Sequence, residues 1–163
     1  GLTGAMISKG NHRHFMQKEI FEQPVVVAQT LNSYLRPVEE RVALPDMEFD
    51  LGSIERVVIV ACGTSSYVSQ IGKYWIEQMA RLPVEVDVAS EFRYREPVLG
   101  PGTLGVVISQ SGETADTLAA LRHMKDEGVT TAGILNVPTS SMAREVDLLL
   151  PTHAGPEIGV AST

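Results

Sequence analysis

Gly105-Val106-Val107-Ile108-Ser109-Gln110-Ser111-Gly112-Glu113-Thr114 reads as an apolar strand that runs into a short polar loop and opens a helix. Val106 to Ile108 are β-branched, as suits a parallel strand covered on both faces. The chemistry then changes within one residue. Ser109, Ser111 and Thr114 place three hydroxyls in six residues, and Gly112 lets the backbone turn tightly. Downstream, Ala115, Leu118, Leu121 and Met124 recur near the helical period, Asp116 falls in the first turn, Lys125 lies near the far end and Gly128 offers a stop. That pattern predicts a helix over 114–127. A helix start exposes unpaired N–H groups and a partial positive charge, so hydroxyls gathered there suit a phosphate or a carboxylate. Taken alone, the loop is equally well explained as a plain helix cap built from Ser111 and Glu113.

A second loop of the same kind changes that balance. Val57-Val58-Ile59-Val60-Ala61 is another apolar run, and Cys62-Gly63-Thr64-Ser65-Ser66 follows it with a glycine and three hydroxyls. Further short runs stand at Val84 to Val88, Ala132 to Leu135 and Leu148 to Leu150. Val68, Ile71, Trp75, Met79 and Leu82 mark a helical stripe between the first two runs. Strands alternating with helices predict an α/β fold, a doubly wound five-stranded parallel sheet with helices on both faces. In the common order 2-1-3-4-5, strands 1 and 3 are neighbours, and ligands bind outside their carboxyl ends. Those ends are the two hydroxyl-rich loops, so their meeting favours an anion site over two unrelated caps.

Upstream, Met16, Ile20 and Phe21 among charged residues predict a helix over 12–23. Pro24 suits the start of a second helix, 24–35, in which Val27, Leu31 and Leu35 recur every four residues and Pro37 marks the end. Residues 38–56 read as a connector with a short helix at most. The expected boundaries are 1–11 as a linker or processing remnant, 12–56 as an N-terminal helical segment and 57–163 as the α/β domain. That domain is cut short in its C-terminal helix, which Glu157 starts. Residues from about Ala154 are expected to be disordered or held by a neighbouring molecule.

Composition narrows the function classes. At 163 residues and 44% apolar content, the chain has room for one ordinary domain with a substantial core. A formal charge of −7 argues against nucleic-acid and anionic-membrane partners, which need clustered Lys and Arg. A bound anion must therefore be held by local amides and hydroxyls against an unfavourable overall field. The single cysteine, Cys62, excludes an intrachain disulfide and suits a reducing compartment; with no signal-like start, the expected location is the cytoplasm.

Neither loop matches Gly-x-Gly-x-x-Gly, and no Walker-type motif exists, so no nucleotide cofactor is expected. Cys62 ends an apolar strand without a nearby His or carboxylate in sequence and reads as a small buried residue rather than a nucleophile. His12 and His14 make a weak metal pair, better read as solvated, and no metal is expected. Arg93-Tyr94-Arg95 reads as a set of ion pairs on a helix surface.

Several separate stretches, in order, closely resemble glutamine-dependent glucosamine-6-phosphate synthase. They are His14-Phe15-Met16-Gln17-Lys18-Glu19-Ile20, Cys62-Gly63-Thr64-Ser65, Ala89 to Arg95, Ser109 to Leu118, Asn136-Val137-Pro138 and Glu157 to Thr163. The resemblance covers nearly the whole chain from about His12 and identifies the region as the first sugar isomerase (SIS) domain of that family's isomerase half. It implies a share in making glucosamine 6-phosphate from fructose 6-phosphate and glutamine. It also implies that Ser65, Ser109, Gln110, Ser111 and Thr114 bind the sugar phosphate, and that Thr64, Val160 and Ser162 contact the sugar chain.

The family's glutaminase domain, with its catalytic N-terminal cysteine, has no counterpart here. Nor does its second sugar isomerase domain, which supplies an acid-base Glu, Lys and His. No catalytic residue is therefore expected in this chain, which should bind but not turn over. The intact protein is expected to be a homodimer. Two alternatives share the cradle: a deglycase or isomerase acting on other sugar phosphates, and a stand-alone sugar-phosphate sensor. The sensor is weakened by the absence of a basic patch in the sequence.

Overall fold

The computed structural model describes residues 8–159. The chain divides into two compact units. One takes the chain up to Leu44 together with the stretch from Thr152 onward, and the other runs from Pro45 to Pro151.

In the first unit, α1 (Phe15–Tyr34) is one helix, where the sequence predicts two meeting at Pro24. An internal proline removes the hydrogen bond to the carbonyl four residues earlier, here that of Ile20, and costs about 3 kcal/mol or more in a buried setting. Pro24 lies on an exposed side of α1, as do Ile20 and Val25, and the helix continues through it. Two-residue strands β1 (Leu35–Arg36) and β2 (Arg41–Val42) then pair antiparallel around a 3₁₀ turn at Pro37–Glu39. Strands this short carry no readable alternation.

The stretch from Thr152 meets the N-terminal helix of its own unit: the Thr30 hydroxyl accepts from the His153 amide at 3.0 Å. The Glu19 carboxylate accepts from the amides of Ile158 at 2.8 Å and Gly159 at 3.0 Å. The helix expected from Glu157 has not begun by Gly159.

The second unit alternates strand and helix: β3 (Arg56–Ala61), α2 (Gly63–Met79), β4 (Val84–Val88), α3 (Ala89–Arg95), β5 (Thr103–Ser109), α4 (Ala115–Asp126), β6 (Thr130–Leu135), α5 (Ser141–Glu145) and β7 (Leu148–Pro151). The five strands from β3 onward form one parallel sheet in the order β4-β3-β5-β6-β7, the doubly wound order read from the sequence. Neighbours β3 and β5 pair in register from Arg56 with Thr103 to Ala61 with Ile108, which brings their carboxyl ends side by side.

The two-residue period sends alternate side chains to opposite faces. Val58, Val60 and Val107 pack with Ala89 and Phe92 of α3, Leu121 and Met124 of α4, and Met142 of α5. Val57, Ile59 and Val106 belong to the other face, with Ile76 of α2 and the partly buried Met47, Phe49 and Ile54. Helices therefore cover both faces. On α2, however, the helical stripe is exposed: Val68, Ile71, Trp75 and Met79 all stand in solvent, and of the five only Leu82, beyond the helix, joins the core. The buried side of α2 carries Ser69, with Gly72 against Ile59 and Ile76 beyond. Five-residue α5 is too short to show a period, and the sequence reading passed over it.

Candidate functional site

At the carboxyl end of β3, Cys62 is the N-cap of α2 and Gly63 makes the turn with φ +56°, a left-handed value that a side chain would strain. The hydroxyls that follow divide into two kinds. Ser66 donates to the Gly63 carbonyl at 2.7 Å, and Ser69 donates to that of Ser65 at 2.8 Å, so both are spent on the helix itself. Thr64 and Ser65, in the first turn, have no side-chain hydrogen bond to any described residue, which leaves their hydroxyls available.

At the end of β5 the loop is wound on its own hydroxyls. Ser109 is buried, and its Oγ accepts from the Gly112 amide at 3.1 Å and lies 3.4 Å from Thr114 Oγ1. Ser111 Oγ accepts from the Glu113 amide at 3.2 Å. Gly112 has φ +65°, and a Cβ there would fall 2.1 Å from Ser140 Oγ, so only glycine lets the loop lie this close to the segment before α5. Thr114 is the N-cap of α4. Neither α2 nor α4 has a side chain capping its first turn, so both helix starts keep unpaired N–H groups at the same end of the sheet.

The two loops are joined beneath: Thr117, in the first turns of α4, donates to Cys62 Sγ at 3.7 Å. Cys62 is partly buried and packs on the core, and neither loop carries a Lys, Arg or His. Arg93 of α3 reaches the first turn of α4, where it pairs with Asp116 at 2.7 Å. Arg95 bonds Glu85 at 2.8 Å and Asp87 at 2.6 Å. The ion-pair reading of this arginine stretch therefore holds. Among the described residues, no three His, Cys, Asp or Glu side chains gather as a metal site.

Ser65, Ser109, Gln110, Ser111, Thr114 and Thr64 all belong to these two neighbouring loops. Val160 and Ser162 lie outside the described residues. The sequence reading placed Glu113 at the start of its own helix. Instead its Oε1 accepts from the amide of Ser141, the first residue of α5, at 2.6 Å. That hydrogen bond holds the Glu113 carboxyl below its ordinary pKa. Nothing in the sequence spacing announces a contact across 28 residues. The Ser140 cap of α5, which accepts from Ala143, was the readable local signal.

Comparison with known proteins gives one consistent set of likenesses. Residues 50–163 match the model of the SIS domain family. The chain is 71% identical over 163 residues to glutamine--fructose-6-phosphate aminotransferase [isomerizing] of Zymomonas mobilis, covering all of this chain and 27% of that protein. It is 59% identical over its full length to the enzyme of that name from Bradyrhizobium diazoefficiens, again covering 27% of the relative. Among solved structures, the C-terminal domain of glucosamine-fructose-6-phosphate aminotransferase from Francisella tularensis superposes with a TM-score of 0.89 at 47% identity. That match covers 96% of this chain and 44% of the other. The chain thus spans about a quarter of the length of the curated relatives it matches.

Proposed function

On the premise that the chain belongs to the SIS domain family, we propose that the two loops bind the phosphate of a sugar phosphate. We further propose that the chain is the first sugar isomerase domain of an enzyme making glucosamine 6-phosphate from fructose 6-phosphate and glutamine. One observation carries this reading: two uncapped helix starts stand at the adjoining carboxyl ends of β3 and β5, flanked by the hydroxyls of Thr64 and Ser65, which bond no other described residue. A phosphate there receives charge-assisted hydrogen bonds from amides and hydroxyls without any Lys or Arg.

Roles follow from position. Ser111, Gln110 and the amides of the second loop meet the phosphate from one side, and Ser65 and the start of α2 meet it from the other. Ser109 and Thr114 shape the loop and offer their hydroxyl protons. For the sugar chain, Thr64, Val160 and Ser162 are carried over from the family resemblance alone, Val160 and Ser162 lying outside the described residues. The reaction needs a proton moved between C1 and C2 and ammonia delivered to the C2 carbonyl, and those steps call for an acid and a base. Glu113, the carboxylate in the cradle loops, is bound to α5, so the chain alone binds without turning over. The chain covers 27% of its Zymomonas mobilis relative, which leaves room in a longer protein for the second SIS domain and the glutaminase domain that the resemblance implies; the cytoplasmic location and the homodimer belong to the same proposal.

Thermal unfolding of the chain with fructose 6-phosphate, glucosamine 6-phosphate, inorganic phosphate and unphosphorylated fructose tests the reading. Ligand at a hundred times its Kd adds about 2.7 kcal/mol, worth about 5–11 °C at this size. Both sugar phosphates are expected to raise the midpoint, phosphate less and fructose not at all, and Ser111→Ala should abolish the rise. Equal shifts with fructose and fructose 6-phosphate would refute a phosphate cradle.

A further inference from the structure

We propose that Glu113 is a positioning residue for the cradle: its carboxylate fastens the Ser109–Thr114 loop to the start of α5 and so holds the anion-binding groups in their binding arrangement. The inference rests on reading that loop as a phosphate site.

Three contacts join the loop to one short segment. Glu113 Oε1 accepts from the Ser141 amide at 2.6 Å, the Gly112 carbonyl accepts from the Met142 amide at 3.2 Å, and Gly112 lies directly against Ser140. That segment is a firm anchor, because Met142 is fully buried in the core beneath α4 and α5, and Ser140 is buried too. The backbone contacts belong to any residue at position 113. The carboxylate contact depends on the glutamate.

The charge makes this placement informative. A carboxylate beside a bound phosphate repels it, so a glutamate in an anion loop works against the ligand unless its position offsets the loss. Here the side chain is exposed and turned onto an amide of α5, with Arg144 and Glu145 as the charged groups acting on it, and the Ser141 hydrogen bonds keep it ionised. A bystander glutamate and a positioning one therefore predict opposite signs. Removing a bystander's charge tightens phosphate binding; removing a fastener weakens it.

Two measurements on the full chain decide between them. In the ligand-free state, amide hydrogen exchange at Gly112, Ser141 and Met142 is expected to rise about tenfold in Glu113→Ala, the size of losing a helix-capping interaction. It should rise no more than about threefold in Glu113→Gln, whose amide oxygen still accepts from Ser141. Exchange at Val107 and Leu121 reports on the core and should stay unchanged. In titrations with fructose 6-phosphate and inorganic phosphate, Glu113→Ala is expected to bind about tenfold more weakly, and Glu113→Gln within about threefold of wild type. Glu113→Ala binding as tightly as wild type or more so, or Glu113→Gln falling as far as Glu113→Ala, would overturn the proposal. If the wild-type chain binds neither probe, the phosphate reading fails; the exchange data then still decide the fastening, which unchanged Ser141 and Met142 exchange in Glu113→Ala would refute.

Discussion

The two faces of the central sheet are built on different terms. One is sealed by three helices, α3, α4 and α5, whose inward residues Phe92, Leu121, Met124 and Met142 are all fully buried. The other carries α2 and the 47–54 segment. There most of the large apolar side chains of the helix point outward, Trp75 being 61% and Met79 75% exposed, while Ser69, Gly72 and Ile76 face the strands. On the sealed face, apolar residues on the helix go to the sheet. On the α2 face, the small Ser69 and Gly72 share that side with Ile76 and let the helix approach closely. An apolar stripe shows which side of a helix is apolar; it does not by itself show which side is buried.

The comparison breaks most visibly if the sealed face proves tolerant. Leu121→Ala removes a fully buried side chain between α4 and the sheet and should cost about 2–5 kcal/mol in denaturant unfolding. A loss below about 1 kcal/mol would mean that the face is loosely packed and the contrast false. Next comes the small-residue side of α2. Ser69 is 1% exposed, with its hydroxyl on the Ser65 carbonyl, so Ser69→Leu forces bulk against the strands and should cost about 1–3 kcal/mol. Were the Val68–Ile71–Trp75–Met79 stripe the buried one, this substitution would sit in solvent and be harmless.

Much of this was legible beforehand, and the limits are physical. Runs such as Val57 to Ala61 and Val106 to Ile108 announce central parallel strands because both their faces are covered, and the strand order followed from their alternation with helices. The candidate site was legible because hydroxyls after a buried strand form a local pattern. The Glu113 contact with Ser141 and the direction of α2 depend on tertiary partners, and helical period alone resolved neither. Pro24 misled for a related reason: proline disfavours a helix interior as a local rule, yet α1 runs through it on an exposed side.

A polar contact sharpens the picture at the edge of the sealed face. Asp147, just before β7, accepts from both the amide and the hydroxyl of fully buried Thr131 at 2.7 Å. Asp147→Ala strands the Thr131 amide and should cost about 1–3 kcal/mol. Partial burial alone would raise the Asp147 pKa, but the Thr131 donors and Lys125 outweigh it and hold the carboxyl below its ordinary 3.8. Its contribution is therefore complete above that value and is lost as the pH falls below it. Acid unfolding of Asp147→Ala should accordingly be less steep than that of wild type below about pH 4. Equal steepness would remove Asp147 from the account of acid stability.

The smallest effect is the most diagnostic. Trp75 is the largest side chain on the outward stripe of α2, and ordinarily a tryptophan truncated to Ser within a core costs several kcal/mol. On an exposed face the same change should stay within about 0.5 kcal/mol when measured at a concentration where the chain is monomeric. A near-zero value beside a large one for Leu121→Ala would establish that two helices of similar apolar content use it in opposite directions. A loss of 2 kcal/mol or more would mean that α2 buries its stripe after all. Ser69 and Gly72 would then have to face solvent, and the close helix-to-sheet approach that sets the Thr64–Ser65 half of the cradle would go with them.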